Sequence, residues 1–445
     1  MRVSIIVPAR NEARRIVAAL APLQSLRAAG HQVIVVDGGS TDATLALATP
    51  LSDRTFAAPM GRAAQMNAGA ATASGDVLLF LHADSHLPDD AVPAMLGETA
   101  RTGRRWGRFD VTIAGDSSML PTVAAMMNAR SRLTGIATGD QGIFVERALF
   151  ESIGGYPDQP LMEDVEISRR LKRAAGAPLC LSPRLVTSGR RWERDGPWRT
   201  IVNMWGIRFA YWRGADPARL AARYRNATSP PAVTLQVFAR NPVAGQVKTR
   251  LAAAIGDDEA AAIYARMVER TLDTAAAARI AGIIDRIELW ASPDTDAPAF
   301  AEWRDNYRVE LRRQCGVDLG ARMRHALHSA LARGSHAILI GTDCPLLDVS
   351  YLACASAALD DHPAVFGPAE DGGYVLVGLA RAIDAFSGIP WSTAETMALT
   401  RAKLAAQRVR WQELPTLWDV DSAADLERSQ KLPTAIAASE NGTVG

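Results

Sequence analysis

Short, almost wholly apolar runs recur along the chain, each breaking into a polar or glycine-rich stretch and then a segment with helical spacing. In the first half they lie at residues 3–7, 33–36 and 77–81, and in the second at 235–239, 287–291, 337–340 and 364–366. Runs this short, bounded by turn-forming residues, read as strands covered on both faces. Their alternation with amphipathic helices predicts an α/β fold of two domains, each a mostly parallel central sheet flanked by helices. Both halves open alike, with a strand entering a proline-containing loop, Pro8 in one and Pro242 in the other, although no residue-level repeat accompanies the likeness. One helix is legible from its ends: Asp257, Asp258 and Glu259 favour an N-terminus, Ile263, Met267 and Val268 supply an apolar face, and Gly282 follows. Between the two series, Arg225-Asn-Ala-Thr-Ser-Pro-Pro-Ala232 cannot continue a helix. The expected boundaries are therefore 1–228 and 229–432, with a small, polar tail at 433–445.

Composition narrows the class. Of 445 residues, 48% are hydrophobic and 22% charged, which excludes a disordered or collagen-like chain. No apolar run approaches the ~18 residues of a spanning helix, and Arg10, Asn11 and Glu12 interrupt the first apolar run before a signal peptide could form. A cytoplasmic location is expected, with contact at the inner face of the membrane as an alternative. Cys180, Cys315, Cys344 and Cys354 form no paired motif, so reduced thiols are expected. Before Ser229 there are 28 basic and 21 acidic residues, and from it onward 21 and 27, giving halves of about +7 and −6. The near-neutral total argues against nucleic acid as a partner, while the basic half suits a polyanionic ligand or an anionic membrane surface.

Three acids of the first half stand beyond strand ends or in a loop: Asp37, Asp84 and Asp164. Ligands of open α/β sheets gather outside the carboxyl ends of strands, so Asp37 and Asp84 are expected at one crevice, although a strand-end Asp is also a common turn or cap residue. The set Ile5-Ile-Val-Pro-Ala-Arg-Asn-Glu12, Val35-Val-Asp-Gly-Gly-Ser-Thr-Asp-Ala-Thr44, Gly61-Arg62 with Asn67, Leu79-Phe-Leu-His-Ala-Asp84 and Glu163-Asp164 resembles the inverting family 2 glycosyltransferases of GT-A fold, over about residues 1–225. The resemblance implies a nucleotide diphosphate sugar donor and a small-molecule or lipid-linked hydroxyl acceptor. It implies that Pro8, Glu12 and Asp37 contact the nucleoside, that Arg62 contacts phosphate, that Asp84 binds a divalent metal, Mg²⁺ or Mn²⁺, and that Asp164 is the general base. His82 departs from the family by standing where the first D-x-D aspartate is expected; imidazole shifts the preference toward manganese, or the ring simply packs beside the strand. Gly139-Asp-Gln-Gly-Ile-Phe144 and Gly154-Gly-Tyr-Pro157 fall where the family builds the acceptor side, and also read as turns. Arg190-Arg-Trp192 reads either as a loop closing over diphosphate or as a solvated basic loop. Trp198, Val202, Trp205, Phe209 and Trp212 fall near one helical face beside Arg199, Arg208 and Arg213, as in an interfacial membrane helix or a helix docked on its own domain.

In the second half, Arg240, Lys248 and Arg250 surround a Pro/Gly loop that opens a helix, a form able to cradle a triphosphate although it is not a Walker A loop. Asp343 and Asp371 are the candidate metal ligands, whereas Asp421 and Asp425 read equally as a cap and first-turn charge. His325 and His328, three apart on a helix, lack acidic companions. Over about residues 233–430 the blocks Lys248-Thr-Arg-Leu251, Gln314 to Met323, Gly341-Thr-Asp-Cys-Pro345, Asp371-Gly-Gly-Tyr374 and Trp418-Asp-Val-Asp421 resemble small GT-A-like nucleotidyltransferases such as phospholactate and molybdopterin-cofactor guanylyltransferases, and an uncharacterised bacterial family whose fusions accompany arsenosugar biosynthesis. That resemblance implies an NTP at the second domain and synthesis of an activated donor. The opening loop lacks the G-G-x-x-x-R-M-G form, which leaves a tandem glycosyltransferase or a silent nucleotide-binding module as alternatives.

Overall fold

The structure is a computed structural model that describes residues 1–115, 117–189, 192, 196–224, 231–391 and 393–432. Residues 225–230 of the expected linker, the tail at 433–445, and Arg190 and Arg191 lie outside the described residues, as does the side chain of Arg199. The chain divides into two compact units, Met1–Pro230 and Pro231–Gly445. Both are α/β, as the alternation of strands and helices predicts.

Unit 1 is built on eight strands: β1 Val3–Ala9, β2 Gln32–Asp37, β3 Arg54–Ala57, β4 Val77–Phe80, β5 Ser85–His86, β6 Trp106–Ala114, β7 Ile143–Glu146 and β8 Leu179–Ser188, in the order β3-β2-β1-β4-β7-β6-β8-β5. The first four pair in parallel. β7 then runs antiparallel to β4 and β6, and β8 returns parallel to β6. β1 and β2 are buried throughout, which explains why they carry no polar alternation.

Unit 2 repeats this plan. Its strands are β9 Val233–Arg240, β10 Arg286–Ser292, β11 Glu310–Arg313, β12 His336–Ile340, β13 Ala364–Pro368, β14 Tyr374–Leu379 and β15 Trp411–Glu413, in the order β11-β10-β9-β12-β14-β13-β15. Again four strands are parallel, the fifth is antiparallel to both neighbours, and the seventh is parallel to the sixth. The shared plan goes beyond the similar openings visible in the sequence.

One detail recurs at side-chain level. In unit 1 the buried Gln65 amide donates to the carbonyls of Ala9 (2.8 Å) and Val36 (2.7 Å), tying the carboxyl ends of β1 and β2. In unit 2, Gln314 Nε2 donates to the carbonyls of Ala239 (3.3 Å) and Trp290 (2.8 Å), at the ends of the matching strands β9 and β10. Each amide gives a side-chain donor to carbonyls at the carboxyl ends of two adjacent strands. The helix Arg62–Ala71 that carries Gln65 lies close on β1, since a Cβ at Gly69 would stand 2.5 Å from Ile6 Cγ2.

Candidate active sites in the two units

In unit 1 the strand order delivers acids to one end of the sheet. β2 ends in Asp37, and the loop after β4 runs through His82 to Asp84. Asp37 Oδ2 accepts from the backbone N–H of Gly39 (3.0 Å) and Ser40 (2.8 Å), and its other oxygen accepts from the Ser40 hydroxyl. The loop after β1 is stitched to this one: Asn11 N donates to Ser40 Oγ (2.8 Å), Thr41 N to Asn11 Oδ1 (2.8 Å), and Glu12 N to Thr44 Oγ1 (2.8 Å). The Glu12 carboxylate takes the Arg15 guanidinium at 3.0 Å. Glu12 and Asp37 thus lie on two loops stitched together, while Pro8 is buried near the end of β1, and none of the three lines the neighbouring cavity.

That cavity, of about 220 Å³, has Arg62, His82, Asp84, Asp140, Glu163, Asp164 and Arg208 in its wall. Asp164 sits in the first turn of the helix Glu163–Ala175, entered through Met162 in a left-handed conformation (φ 65°). Gly139 N donates to Asp164 Oδ2 (3.1 Å) and Val165 N to Oδ1 (2.7 Å). Burial pushes the Asp164 carboxyl up to about 6, with the Glu163 and Asp140 carboxylates adding to the rise and the two N–H donors opposing it. Such a group is ionised at neutral pH yet holds protons far better than an ordinary aspartate.

His82 does more than pack beside β4. The ring is buried, its Nδ1 stands 3.3 Å from Asp140 Oδ1, and it lies against Gly139, where a Cβ would come 2.3 Å from His82 Cε1. The Gly139–Gln141 turn therefore has two functions: it receives His82 and presents an N–H to Asp164. The sequence did not mark Asp140 and Arg208 as site residues. The signal for Asp140 lay in the glycine run around it; Arg208 was named only as a charge near an apolar helix. Trp192 lines the cavity and packs with Ile113, Leu120 and Val123.

Four carboxylates surround this cavity against the cations Arg62 and Arg208. A diphosphate would face net negative charge here, although among the described residues the ligand atoms of His82, Asp84 and Asp140 do not converge as a metal-holding trio.

In unit 2, Lys248 adopts φ 48° at the start of the helix Thr249–Ile255. Its buried ammonium donates to Asp343 Oδ2 (2.8 Å) and Asp421 Oδ1 (2.7 Å). Burial alone would lower its pKa, but Asp343 and Asp421 outweigh that and raise it. Arg250 reaches Asp421 at 3.5 Å and is mostly exposed. The cavity here, of about 340 Å³, is lined by Arg240, Lys248, Arg250, Gln314, Arg322, Asp343 and Asp421.

The carboxylates that converge are Asp343, Asp419 and Asp421, each offering an oxygen within 4.8 Å of the others. Asp371 is not in that group; its Oδ1 accepts from Gly373 N (2.9 Å). The structure thus brings Asp343 together with Asp419 and Asp421, which arrive with the returning chain that Val420 N fixes by donating to Asp343 O (2.9 Å). Burial pushes Asp419 up to about 6, helped by Asp343, Asp371 and Asp421. Asp421 is no helix cap, since Ser422 and Asp425 form the capping box of the helix Ala423–Gln430. His325 meets the Trp290 ring edge-on at 5.8 Å.

Residues 4–138 match the model of Glycosyl transferase family 2, and residues 272–393 match DUF2064, described as an uncharacterized protein conserved in bacteria. The chain carries a family 2 glycosyltransferase domain followed by a DUF2064 domain. Pro8, Glu12, Asp37, Arg62 and Asp84 fall inside the first match and Asp164 outside it; Asp343 and Asp371 fall inside the second, while Lys248, Asp419 and Asp421 do not. An undecaprenyl-phosphate 4-deoxy-4-formamido-L-arabinose transferase of Pseudomonas fluorescens is 31% identical over 161 residues, covering 32% of this chain and 44% of that protein. The chain thus spans less than half the length of that relative. Among solved structures, a protein of Desulfovibrio desulfuricans assigned as a nucleotide-diphospho-sugar transferase is 31% identical, with TM-score 0.41, over 45% of this chain and 87% of its own. The mannosyltransferase PcManGT of Pyrobaculum calidifontis, in complex with GDP-Man and Mn²⁺, is 21% identical, with TM-score 0.37, over 52% and 66%.

Proposed function

We propose that unit 1 transfers a sugar from a nucleotide diphosphate donor to a hydroxyl acceptor with inversion at the anomeric carbon. The observation that carries this reading is the single cavity shared by Asp84, on the loop after β4, and Asp164, on a separate helix and with a raised pKa. Ionised Asp164 takes the acceptor hydroxyl proton as its oxygen attacks the anomeric carbon, and the bond to the diphosphate breaks with its electron pair. Arg62 meets the phosphate charge, while Pro8, Glu12 and Asp37 contact the nucleoside. Asp84, in one cavity wall with His82 and Asp140, would hold a divalent ion, Mg²⁺ or Mn²⁺, which when bound offsets charge on the departing diphosphate. A lipid-linked acceptor is consistent with the name of the undecaprenyl-phosphate relative. Incubating the full chain with a panel of sugar nucleotides and acceptors and reading the anomeric configuration by NMR tests this. The expected product is inverted and its formation is lost in Asp164→Asn with donor binding retained; full transfer by that variant removes Asp164 as the base.

For unit 2 we propose nucleotidyl transfer: attack of a phosphorylated compound on an NTP, with release of pyrophosphate, to form an activated donor. Its support is the buried Lys248 held between Asp343 and Asp421 beside Arg240, Arg250 and Arg322. Pyrophosphate release from an NTP that disappears in Asp343→Ala is the expected result. Sugar-nucleotide turnover surviving Asp164→Asn would instead make unit 2 a second transferase, and nucleotide binding without turnover would make it a binding module.

A further inference from the structure

The helix Pro197–Trp212 presents two different faces. Met204, Ile207 and Arg208 turn toward the unit 1 cavity and line it, and Ile201 and Met204 pack on the small core around Ile113 and Trp192. On the other side Trp198, Val202, Trp205, Phe209 and Trp212 are 57–71% exposed. At 100° per residue these five fall within an arc of about 80°, a continuous stripe rather than scattered apolar residues.

We propose that this stripe is a docking surface for an anionic lipid bilayer, with the helix lying in the interface plane. The reading rests on the transferase function proposed for unit 1, and specifies where that unit meets its acceptor. Three observations choose lipid as the occupant. The stripe is made chiefly of tryptophan and phenylalanine, the side chains that settle at headgroup depth. Cations border it: Arg208 lies by helical angle between the cavity face and the stripe, and the Arg213 guanidinium stands 5.9 Å from the Phe209 ring centroid. The surrounding unit carries about +7, so two copies pairing through this face would oppose like charges, whereas an anionic surface would attract them. Among the described residues no helix is long and apolar enough to cross a membrane, which leaves in-plane contact as the geometry. Docking would set a cavity wall that includes Arg208 beside the headgroup layer, where an acceptor carrying a phosphate could reach it without leaving the bilayer.

The test is cosedimentation of the full chain with vesicles containing about 30% phosphatidylglycerol in phosphatidylcholine, against vesicles of phosphatidylcholine alone, with tryptophan emission followed in parallel. Binding to the anionic vesicles, weakened by salt and accompanied by a blue shift, is expected. Trp205→Glu with Phe209→Glu should lower the bound fraction about tenfold and leave turnover of a water-soluble acceptor unchanged, because neither residue lines the cavity. Trp205→Leu, a milder variant, should keep most of the binding. Absence of binding by the intact chain, equal binding by the glutamate variant, or a dimer that this variant dissociates would overturn the proposal. Vesicle binding needs no turnover, so Asp164→Asn should bind as the unmodified chain does; an unmodified chain that binds vesicles but transfers no sugar from any donor would refute the transferase reading and leave the docking surface standing.

Discussion

Asp164 combines a cost with a use. Its carboxyl titrates near 6 because burial and the adjoining Glu163 penalise the anion, so proton affinity is matched to work near neutral pH. The rate of transfer should therefore rise with pH along an acidic limb centred near 6, and Asp164→Asn should lower kcat about 10²- to 10⁴-fold. A pH–rate profile at saturating donor checks both; a rate independent of pH between 5 and 8 would contradict the assignment. The same shift has a stability consequence. Between an unfolded value near 3.8 and the folded value near 6 the native state binds more protons than the unfolded one, so stability falls as pH rises through that window. Measured on the metal-free protein, the melting temperature relative to Asp164→Asn should decline from pH 4.5 to pH 7, equivalent to about 1–3 kcal/mol. Amide hydrogen bonds altered by the substitution offset the curve but do not change its slope.

At the scale of elements, the two glutamines that tie strand ends make a matched pair of predictions. Gln65→Leu should remove the side-chain donor to the Ala9 and Val36 carbonyls, although Ala9 O keeps the Gly38 N–H at 2.9 Å, and Gln314→Leu should remove the side-chain donor to Ala239 and Trp290. Each substitution should cost about 1–3 kcal/mol and weaken nucleotide binding only in its own unit, as thermal shift with and without nucleotide would show. Gly69→Ala drives a Cβ toward Ile6 Cγ2 on β1 and should destabilise by a similar 1–3 kcal/mol through overpacking, without an effect on pH dependence. The buried parallel strands were legible because a strand covered on both faces leaves a continuous apolar run. β6 was not, because Arg108 and Asp110 interrupt it; inside the sheet they pair with each other, and Arg132 adds to Asp110. β8 was hidden by Pro183 and Arg184 on its less buried residues. Asp84 and Asp343 stood out in the sequence because each follows an apolar strand closely. The convergence of Asp419 and Asp421 on Asp343 was not legible because no strand announces them; they join it through a loop return fixed by a backbone hydrogen bond, a relation that local spacing does not encode. His82 against Gly139 is likewise a contact between distant segments, visible only once β4 and β7 are adjacent.

At the scale of the whole molecule, the repeated strand order gives each unit its own sheet, and among the described residues the apolar clusters around Ile6, Trp290, Ile113 and Leu251 each draw on one unit. Units of this size bury enough apolar surface to fold alone. Fragments 1–230 and 231–432 should therefore each give a cooperative calorimetric transition, and the two enthalpies should add to that of the full chain. Chemistry should separate in the same way: Asp164→Asn should silence sugar transfer and leave nucleotide turnover at unit 2 unchanged, while Asp343→Ala should do the reverse. If unit 2 makes the donor that unit 1 uses, the coupling should be one of supply. Two single-site variants mixed in solution would then restore product formation from NTP and sugar phosphate, because each retains the intact site the other lacks, and the intermediate sugar nucleotide would accumulate transiently. Failure to restore product, with both half-reactions proceeding separately, would mean that the intermediate must pass within one chain; failure of the unit 2 half-reaction in the Asp164→Asn protein would mean that the two sites are not chemically independent.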